Sequence, residues 1–355
     1  MKHTYTSLGS AFLLAIALLS GCQEGNRKQA ATPLGQSATS RQSVAVTASP
    51  AVMTPQPVPA IHAVSAPYPA YSVQVPLQGY LRSIGSDTMD ELLAEWEAEL
   101  GRFQTGLRFR HEGKGSSTAI PALLEQRSDI GPMSRVMKGD ESARFEQAFG
   151  YKATQLAVAV DTLAVYVHPD NPILETGLSL EQIAAIFSES DSPIQRWGQL
   201  GLTGPWSNAP IRLHGRNPAS GTHAFFKSHA LNGRTFRESL TEHAGSAEVV
   251  RHVGMDPYSI GYSGIAYKTA NVATLPLQAA DGNFVNANKR NAARGIYPLT
   301  RSLYVILNIN PEQGPTDLQK EFLRFVYSRE GQQIVEQVGY FPIDPAIAQQ
   351  VLQQY

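Results

Sequence analysis

The chain has 355 residues, 42% of them hydrophobic, with 29 Lys and Arg against 30 Asp and Glu for a net charge of −1. Near-neutrality without a basic block argues against a nucleic-acid surface. The single cysteine, Cys22, excludes an intrachain disulfide.

The first element in chain order is a targeting segment. Lys2 precedes the apolar run Ala11–Leu19, which is too short to span a bilayer comfortably and ends in Leu19-Ser20-Gly21-Cys22. This is similar to a bacterial lipobox. Residues 1–21 are expected to be a lipoprotein signal and Cys22 the lipidated first mature residue; an ordinary secretory signal or an uncleaved anchor are the alternatives. Gln23 after the cysteine points to the outer membrane in the Gram-negative pattern. Residues 22–77 read as a disordered tether: Ala, Ser, Thr, Gln, Val and Pro dominate, and Pro55, Pro57, Pro59, Pro67, Pro69 and Pro76 crowd its second half. Such a segment buries too little apolar surface to offset its ordering entropy.

From residue 78 the chain reads as alternating strands and helices, an α/β body long enough for two lobes. Tyr80–Ile84 predicts a strand, and the helix after it places Met89, Leu92, Leu93, Trp96 and Leu100 on one face. Leu107–Arg110 is a second strand, Ala119–Gln126 a helix and Asp129–Gly131 a third strand. The apolar β-branched run Leu156–Val167 predicts a buried strand able to cross between lobes. Glu181–Phe187 is a helix, Ile211–His214 a strand, Tyr258–Tyr267 a Gly-rich strand region and Tyr304–Leu307 another strand. Leu318–Val338 reads as two helices broken near Ser328-Arg329. Strands feeding helices through glycine loops imply an open parallel sheet with its ligand at the strand C-terminal ends.

Three of those loops pair glycine with hydroxyls: Gly85-Ser86-Asp87-Thr88, Gly113-Lys114-Gly115-Ser116-Ser117-Thr118 and Arg216-Asn217-Pro218-Ala219-Ser220-Gly221-Thr222. Each precedes a helical stretch, whose unpaired N–H groups and partial positive charge suit an anion. Arg216 offers a planar fork of donors that can grip two oxygens of an oxyanion. Ser220 and Thr222 can donate hydroxyls or cap a helix, and Gly221 lets the backbone come close. In the second loop Gly115 separates Lys114 from Ser116, so the contiguous Gly-Lys-Ser/Thr of a nucleotide P-loop is missing. Asp87 either caps its own helix or accepts a hydrogen bond from a protonated anion. In the second case sulfate, which has no proton to give, would leave a buried acceptor unpaired at a cost of about 1–3 kcal/mol. His214 and His223 flank the third loop without the carboxylates and spacing of a hydrolytic metal site. Gly261-Tyr262-Ser263-Gly264 stops one residue short of a Gly-x-Ser-x-Gly elbow and has no evident partner set for a phosphatase.

These motifs carry a resemblance. Arg216 with Ser220-Gly221-Thr222, Gly113–Ser117, Asp129-Ile130-Gly131, Ile260-Gly261-Tyr262 followed by Ala266-Tyr267, and Phe325–Gln332 resemble, in order and spacing, the phosphate-binding proteins of bacterial ABC phosphate importers, within the periplasmic binding protein type 2 superfamily. The resemblance implies a two-lobed fold with a hinge of crossing strands, lobe I from residues 78–160 and 262–355 and lobe II from 161–261. It implies a phosphate site at Ser86, Asp87, Thr88, Ser116, Ser117, Arg216, Ser220, Gly221 and Thr222. It also implies a monomer with no cofactor, metal or catalytic residue, whose partners are phosphate, importer membrane subunits and, through lipid, a membrane in the cell envelope. Where the family places a selective aspartate, this chain has Ser134 in Gly131-Pro132-Met133-Ser134-Arg135, so Asp87 is the candidate replacement. A surface lipoprotein that keeps the fold for sensing, adhesion or matrix assembly is the alternative reading.

Overall fold

A computed structural model describes residues 68–355. The expected signal, Cys22 and most of the expected tether lie outside the described residues. In chain order the body runs β1 (Gln78–Gly85), α1 (Asp90–Phe103), β2 (Gly106–Gly113), α2 (Ala119–Leu124), β3 (Gly131–Met133), α3 (Gly139–Phe149), β4 (Thr154–Val167), α4 (Leu180–Phe187), β5 (Arg212–Arg216), α5 (Gly221–His229), β6 (Leu240–His243), α6 (Ser246–Gly254) and β7 (Ser259–Gly264). It continues through the two-residue strands β8 (Ala273–Thr274), β9 (Leu277–Gln278) and β10 (Phe284–Val285), then α7 (Lys289–Ala293), β11 (Thr300–Leu307), α8 (Asp317–Val326), α9 (Arg329–Gln337) and α10 (Pro345–Gln354).

β1 and β2 pair parallel from Gln78 opposite Gly106 to Gly85 opposite Gly113. Gly115 N then donates to Gly85 O at 2.7 Å, so the first two glycine-hydroxyl loops leave the sheet side by side. Leu92, Leu93, Trp96 and Leu100 bury one face of α1, and Trp96 Nε1 donates to the Gly331 carbonyl at 2.9 Å, docking α1 on α9. The expected break between the last long helices falls at Ser328, whose Oγ accepts from Gly331 N and caps α9.

The sheet is mixed rather than parallel. β5 pairs parallel with β6 and β7, whereas β11 pairs antiparallel with β3 and β4, and β4 antiparallel with β7. The reason lies in β4. Its Thr154–Thr162 segment is laddered to β11 and its Leu163–Val167 segment to β7, so one strand serves two sheets and changes partner between Thr162 and Leu163. A strand that crosses between lobes returns through the other lobe and needs no right-handed helical crossover beside itself.

Two cores flank that switch. One gathers Leu81, Leu92, Trp96, Val158, Leu303, Phe322, Val335 and Val351; the other gathers Leu163–Val167, Ile183, Phe226, Val249 and Ile260. Val272, Leu275, Leu277, Tyr297 and Leu299 pack in the second core, whereas Ala292 packs with Val160 and Phe341, so the segment after β7 touches both sides of the switch. The short strands β8 to β10 carry no periodic signal over two residues each, and the sequence reading missed them.

The end of the expected tether is docked. Tyr68 and Tyr71 are buried, and Glu321, itself buried, accepts from Tyr71 Oη at 2.8 Å, Val75 N at 3.2 Å and Arg324 Nη1 at 2.7 Å. The Tyr71 ring meets Phe103 and Phe325 edge-on, at 5.1 and 5.4 Å between centroids. Loss of these contacts in Tyr71→Ala is expected to cost about 3 kcal/mol, read as a lower denaturation midpoint in urea. A change under about 1 kcal/mol would mean that residues 68–77 are not anchored.

Candidate functional site

The three loops converge between the two cores. Ser86, Asp87 and Thr88 follow β1, Ser116 follows β2, and Arg216 ends β5. Arg216 is fully buried and Asp87 is 6% exposed; Arg216 Nη2 meets Asp87 Oδ2 at 2.6 Å across the lobes. Asp87 therefore does not cap its helix: the 3-10 turn Asp87–Met89 and the start of α1 have no side-chain cap.

Arg216 has five N–H hydrogens. Its Nε donates to His243 O at 3.3 Å, Nη1 to Ser246 Oγ at 2.7 Å, and Nη2 to Ala244 O at 2.5 Å as well as to Asp87. Four are committed, so the expected two-oxygen grip reduces to one remaining Nη1 hydrogen in this arrangement. Asp87 Oδ2 also takes Ser246 Oγ at 3.4 Å, while Oδ1 is buried with no hydrogen-bond partner among the described residues.

The hydroxyls form two groups. Ser86 Oγ donates to Ser134 Oγ at 3.0 Å, Ser116 and Ser134 hydroxyls lie 3.3 Å apart, and Ser134 N donates to Ser116 Oγ at 3.0 Å. Thr88 Oγ1 and Thr222 Oγ1 lie 3.0 Å apart across the lobes, and Arg301 Nη2 donates to Thr222 Oγ1 at 2.9 Å. Tyr267 Oη donates to the carbonyls of Asp87 and Thr88 at 3.0 and 3.1 Å.

Two expected donors are turned to other work. Ser220 Oγ caps α5 by accepting from Thr222 N at 3.1 Å. Ser117 Oγ and N both donate to Ala219 O, at 2.9 and 3.2 Å, and so tie the second loop to the third. Gly221 is required by close approach: a Cβ there would stand 2.3 Å from Ser116 Oγ and 2.5 Å from Ser134 Oγ. Gly115 combines φ +98° with a would-be Cβ 2.5 Å from Ala219 O.

Several named residues do structural work. Asp129 receives Arg82 N at 2.8 Å and Arg82 Nη2 at 2.6 Å. Arg135, next to Ser134, is buried in a two-pronged pair with Glu141 at 2.7 and 2.6 Å, because the turn into α3 folds Glu141 back onto it. Ser263 lies inside β7 and donates to Ser246 O at 3.2 Å, which removes the elbow reading. Sequence reasoning missed Ser246, Asp161 and Arg301, and took Tyr267 only as part of a motif without a site role. Asp161 carried a signal, since a charge inside the apolar run Leu156–Val167 must be paired once buried.

His214 in the middle of β5, His243 at the end of β6 and His252 on α6 cluster with ring centroids 4.4–5.5 Å apart. His214 Nδ1 lies 3.0 Å from His243 Nε2, and its Nε2 lies 3.2 Å from Ser259 Oγ. Burial, then the two neighbouring histidines, push the His214 pKa down to about 4, with Arg212 acting the same way and Asp256 opposing. The folded chain thus binds fewer protons than the unfolded one between about pH 4 and the ordinary histidine value near 6.5. Stability is full above pH 6.5 and falls as pH drops toward 4. His223, also pushed down to about 4 chiefly by burial, acts in the same sense, so a thermal melting series is expected to show that fall and His214→Gln to reduce it without abolishing it; an unchanged slope in the variant would contradict the assignment. Among the described residues no group of three or more His, Cys, Asp or Glu is arranged to hold a metal ion.

A two-lobed α/β body with its arginine and hydroxyl loops meeting at the hinge is the architecture of a solute-binding protein. Residues 72–330 match the protein-family profile described as a PBP superfamily domain. The phosphate-binding protein PstS of Pseudomonas aeruginosa is 43% identical over 301 residues, covering 83% of this chain and 93% of that protein. PstS of Borreliella burgdorferi is 27% identical over 73% of this chain and 88% of its own length. A phosphate ABC transporter substrate-binding protein from Clostridium perfringens, solved with bound phosphate, superposes with TM-score 0.64 and 25% identity over 75% of this chain and 100% of its own. The chain belongs to the PBP superfamily, in the branch that holds the PstS phosphate-binding proteins.

Proposed function

We propose that this protein captures inorganic phosphate between its lobes and presents it to the membrane subunits of an ABC importer. The observation that carries the reading is the buried Asp87–Arg216 pair, set among the hydroxyls of Ser86, Thr88, Ser116, Ser134 and Thr222. Arg216 and the hydroxyls supply donors for the ionised oxygens. Asp87 Oδ1, buried and without a partner among the described residues, supplies the acceptor for the proton of monohydrogen or dihydrogen phosphate. Asp87 thereby takes the selective role on the same wall as Ser134, whose hydroxyl bonds that of the adjacent Ser86. The names of the relatives support the same ligand, and their class supports capture without a covalent step. Lipid attachment at Cys22, with the body held off a membrane in the cell envelope, completes the proposal; among the described residues no helix is long and apolar enough to cross a membrane.

The test is direct binding. The full chain is freed of co-purified anion by reversible partial unfolding and titrated with phosphate by calorimetry. Micromolar or tighter affinity, about −8 kcal/mol, is expected. A folded sample that takes up no phosphate at millimolar concentration would overturn the reading.

A further inference from the structure

At the point where β4 changes sheets, Asp161 stands opposite Arg301 in the β4–β11 register. Both side chains are buried. Asp161 Oδ2 accepts from Arg301 Nε at 3.0 Å and Nη2 at 2.8 Å, and Oδ1 accepts from Ile265 N at 3.2 Å, the first residue beyond β7. The carboxylate thus touches all three strands that meet at the switch. Replacing a buried ion pair with apolar side chains is often neutral or stabilising, so stability alone does not account for one here.

Its geometry gives it other work. Arg301 Nη2 reaches past Asp161 to Thr222 Oγ1 at 2.9 Å, and Thr222 Oγ1 lies 3.0 Å from Thr88 Oγ1. A guanidinium only donates, so one lone pair of Thr222 is always filled. The two threonine hydroxyls hold two protons between them, and their mutual hydrogen bond uses one. Whichever of them donates, one hydroxyl proton remains, and no acceptor for it comes from Arg301. Arg301 Nη1 is also buried with no partner among the described residues, which adds unspent cationic donors beside Thr222.

We propose that Arg301, locked by Asp161 at the strand switch, is a positioning residue of the anion site that makes the Thr222–Thr88 pair a donor toward phosphate and ties that donor to the hinge. The inference rests on the phosphate reading above. It differs from the Arg216 contact, because Arg301 acts through Thr222.

A double-mutant cycle on the full chain tests it, with phosphate affinity measured for the parent, Arg301→Lys, Thr222→Val and the combination. Arg301→Lys is expected to weaken binding about tenfold in the parent and less than threefold once Thr222 has lost its hydroxyl. In a Thr222→Ser background, which keeps the hydroxyl, the roughly tenfold effect should return. Equal losses in all backgrounds, or no loss in the parent, would overturn the role of Arg301. If Arg301→Lys does not fold, Asp161→Asn replaces it: the guanidinium stays but is freed to turn away, with the same coupling expected and additivity counting against. A parent chain that does not bind phosphate would overturn the phosphate reading itself, an outcome distinct from additive losses in a chain that binds.

Discussion

Arg216→Ala is expected to weaken phosphate binding by at least about 100-fold, near 2.7 kcal/mol, and to destabilise the fold by about 3–5 kcal/mol. The two losses have different origins. The stability loss follows from leaving the Asp87 carboxylate buried without its 2.6 Å partner, beside an Oδ1 that already has none. The binding loss follows from removing the cation and its one uncommitted N–H. Asp87→Asn in the same chain removes the stranded charge, so the double variant should regain most of the lost stability while phosphate binding stays weak. Urea denaturation and calorimetric titration separate the two. Recovery of both together would mean that Arg216 serves only as a structural partner for Asp87.

Gly221→Ala should weaken binding by a steric route, not by removing a ligand contact. Gly221 opens α5, and its φ lies outside the left-handed region, so alanine fits the backbone and improves helix propensity by up to about 1 kcal/mol. The obstacle is across the cleft: the new methyl would sit 2.3 Å from Ser116 Oγ and 3.0 Å from Ser116 Cβ. Rotating the Ser116 hydroxyl would forfeit its bond from Ser134 N and would still leave the Cβ contact. The lobes must therefore part. A ligand that favours the closed form by its contacts there then binds more weakly, by an expected factor of about 100, or 2.7 kcal/mol. An unchanged affinity would show that the cleft does not close around its ligand as tightly as these distances require.

The legible part of this molecule was local. The Gly-Ser-Asp-Thr, Gly-Ser-Ser-Thr and Arg…Ser-Gly-Thr loops announced themselves by residue type, the crossing strand β4 by its long, largely apolar run, and the α8–α9 break by Ser328 before Gly331. Features that depend on two distant segments meeting were not. Asp87 finds Arg216 only because β1 and β5, in different lobes, aim their C-terminal ends at one cleft. The arginine fork looked free in the sequence, yet four of its N–H groups are taken by β6, the turn after it, α6 and Asp87. Composition misread Tyr68–Leu77 as tether, because a proline-rich segment can still dock when tyrosines find aromatic neighbours and a buried glutamate collects its N–H groups. The segment 268–299 was not legible because it holds to the second core through isolated apolar side chains and two-residue strands, while Ala292 packs with Val160 and Phe341.

The central claim is that Asp87 reads the proton on phosphate in place of the aspartate that Ser134 lacks. The measurement that tests it most directly is the ratio of phosphate to sulfate affinity near neutral pH, for the full chain and for Asp87→Asn. The parent is predicted to prefer phosphate by at least tenfold, about 1.4 kcal/mol, and the variant, whose amide can donate to sulfate, to lose most of that preference. An equal preference in both proteins would contradict the account and return the selectivity to the serine wall.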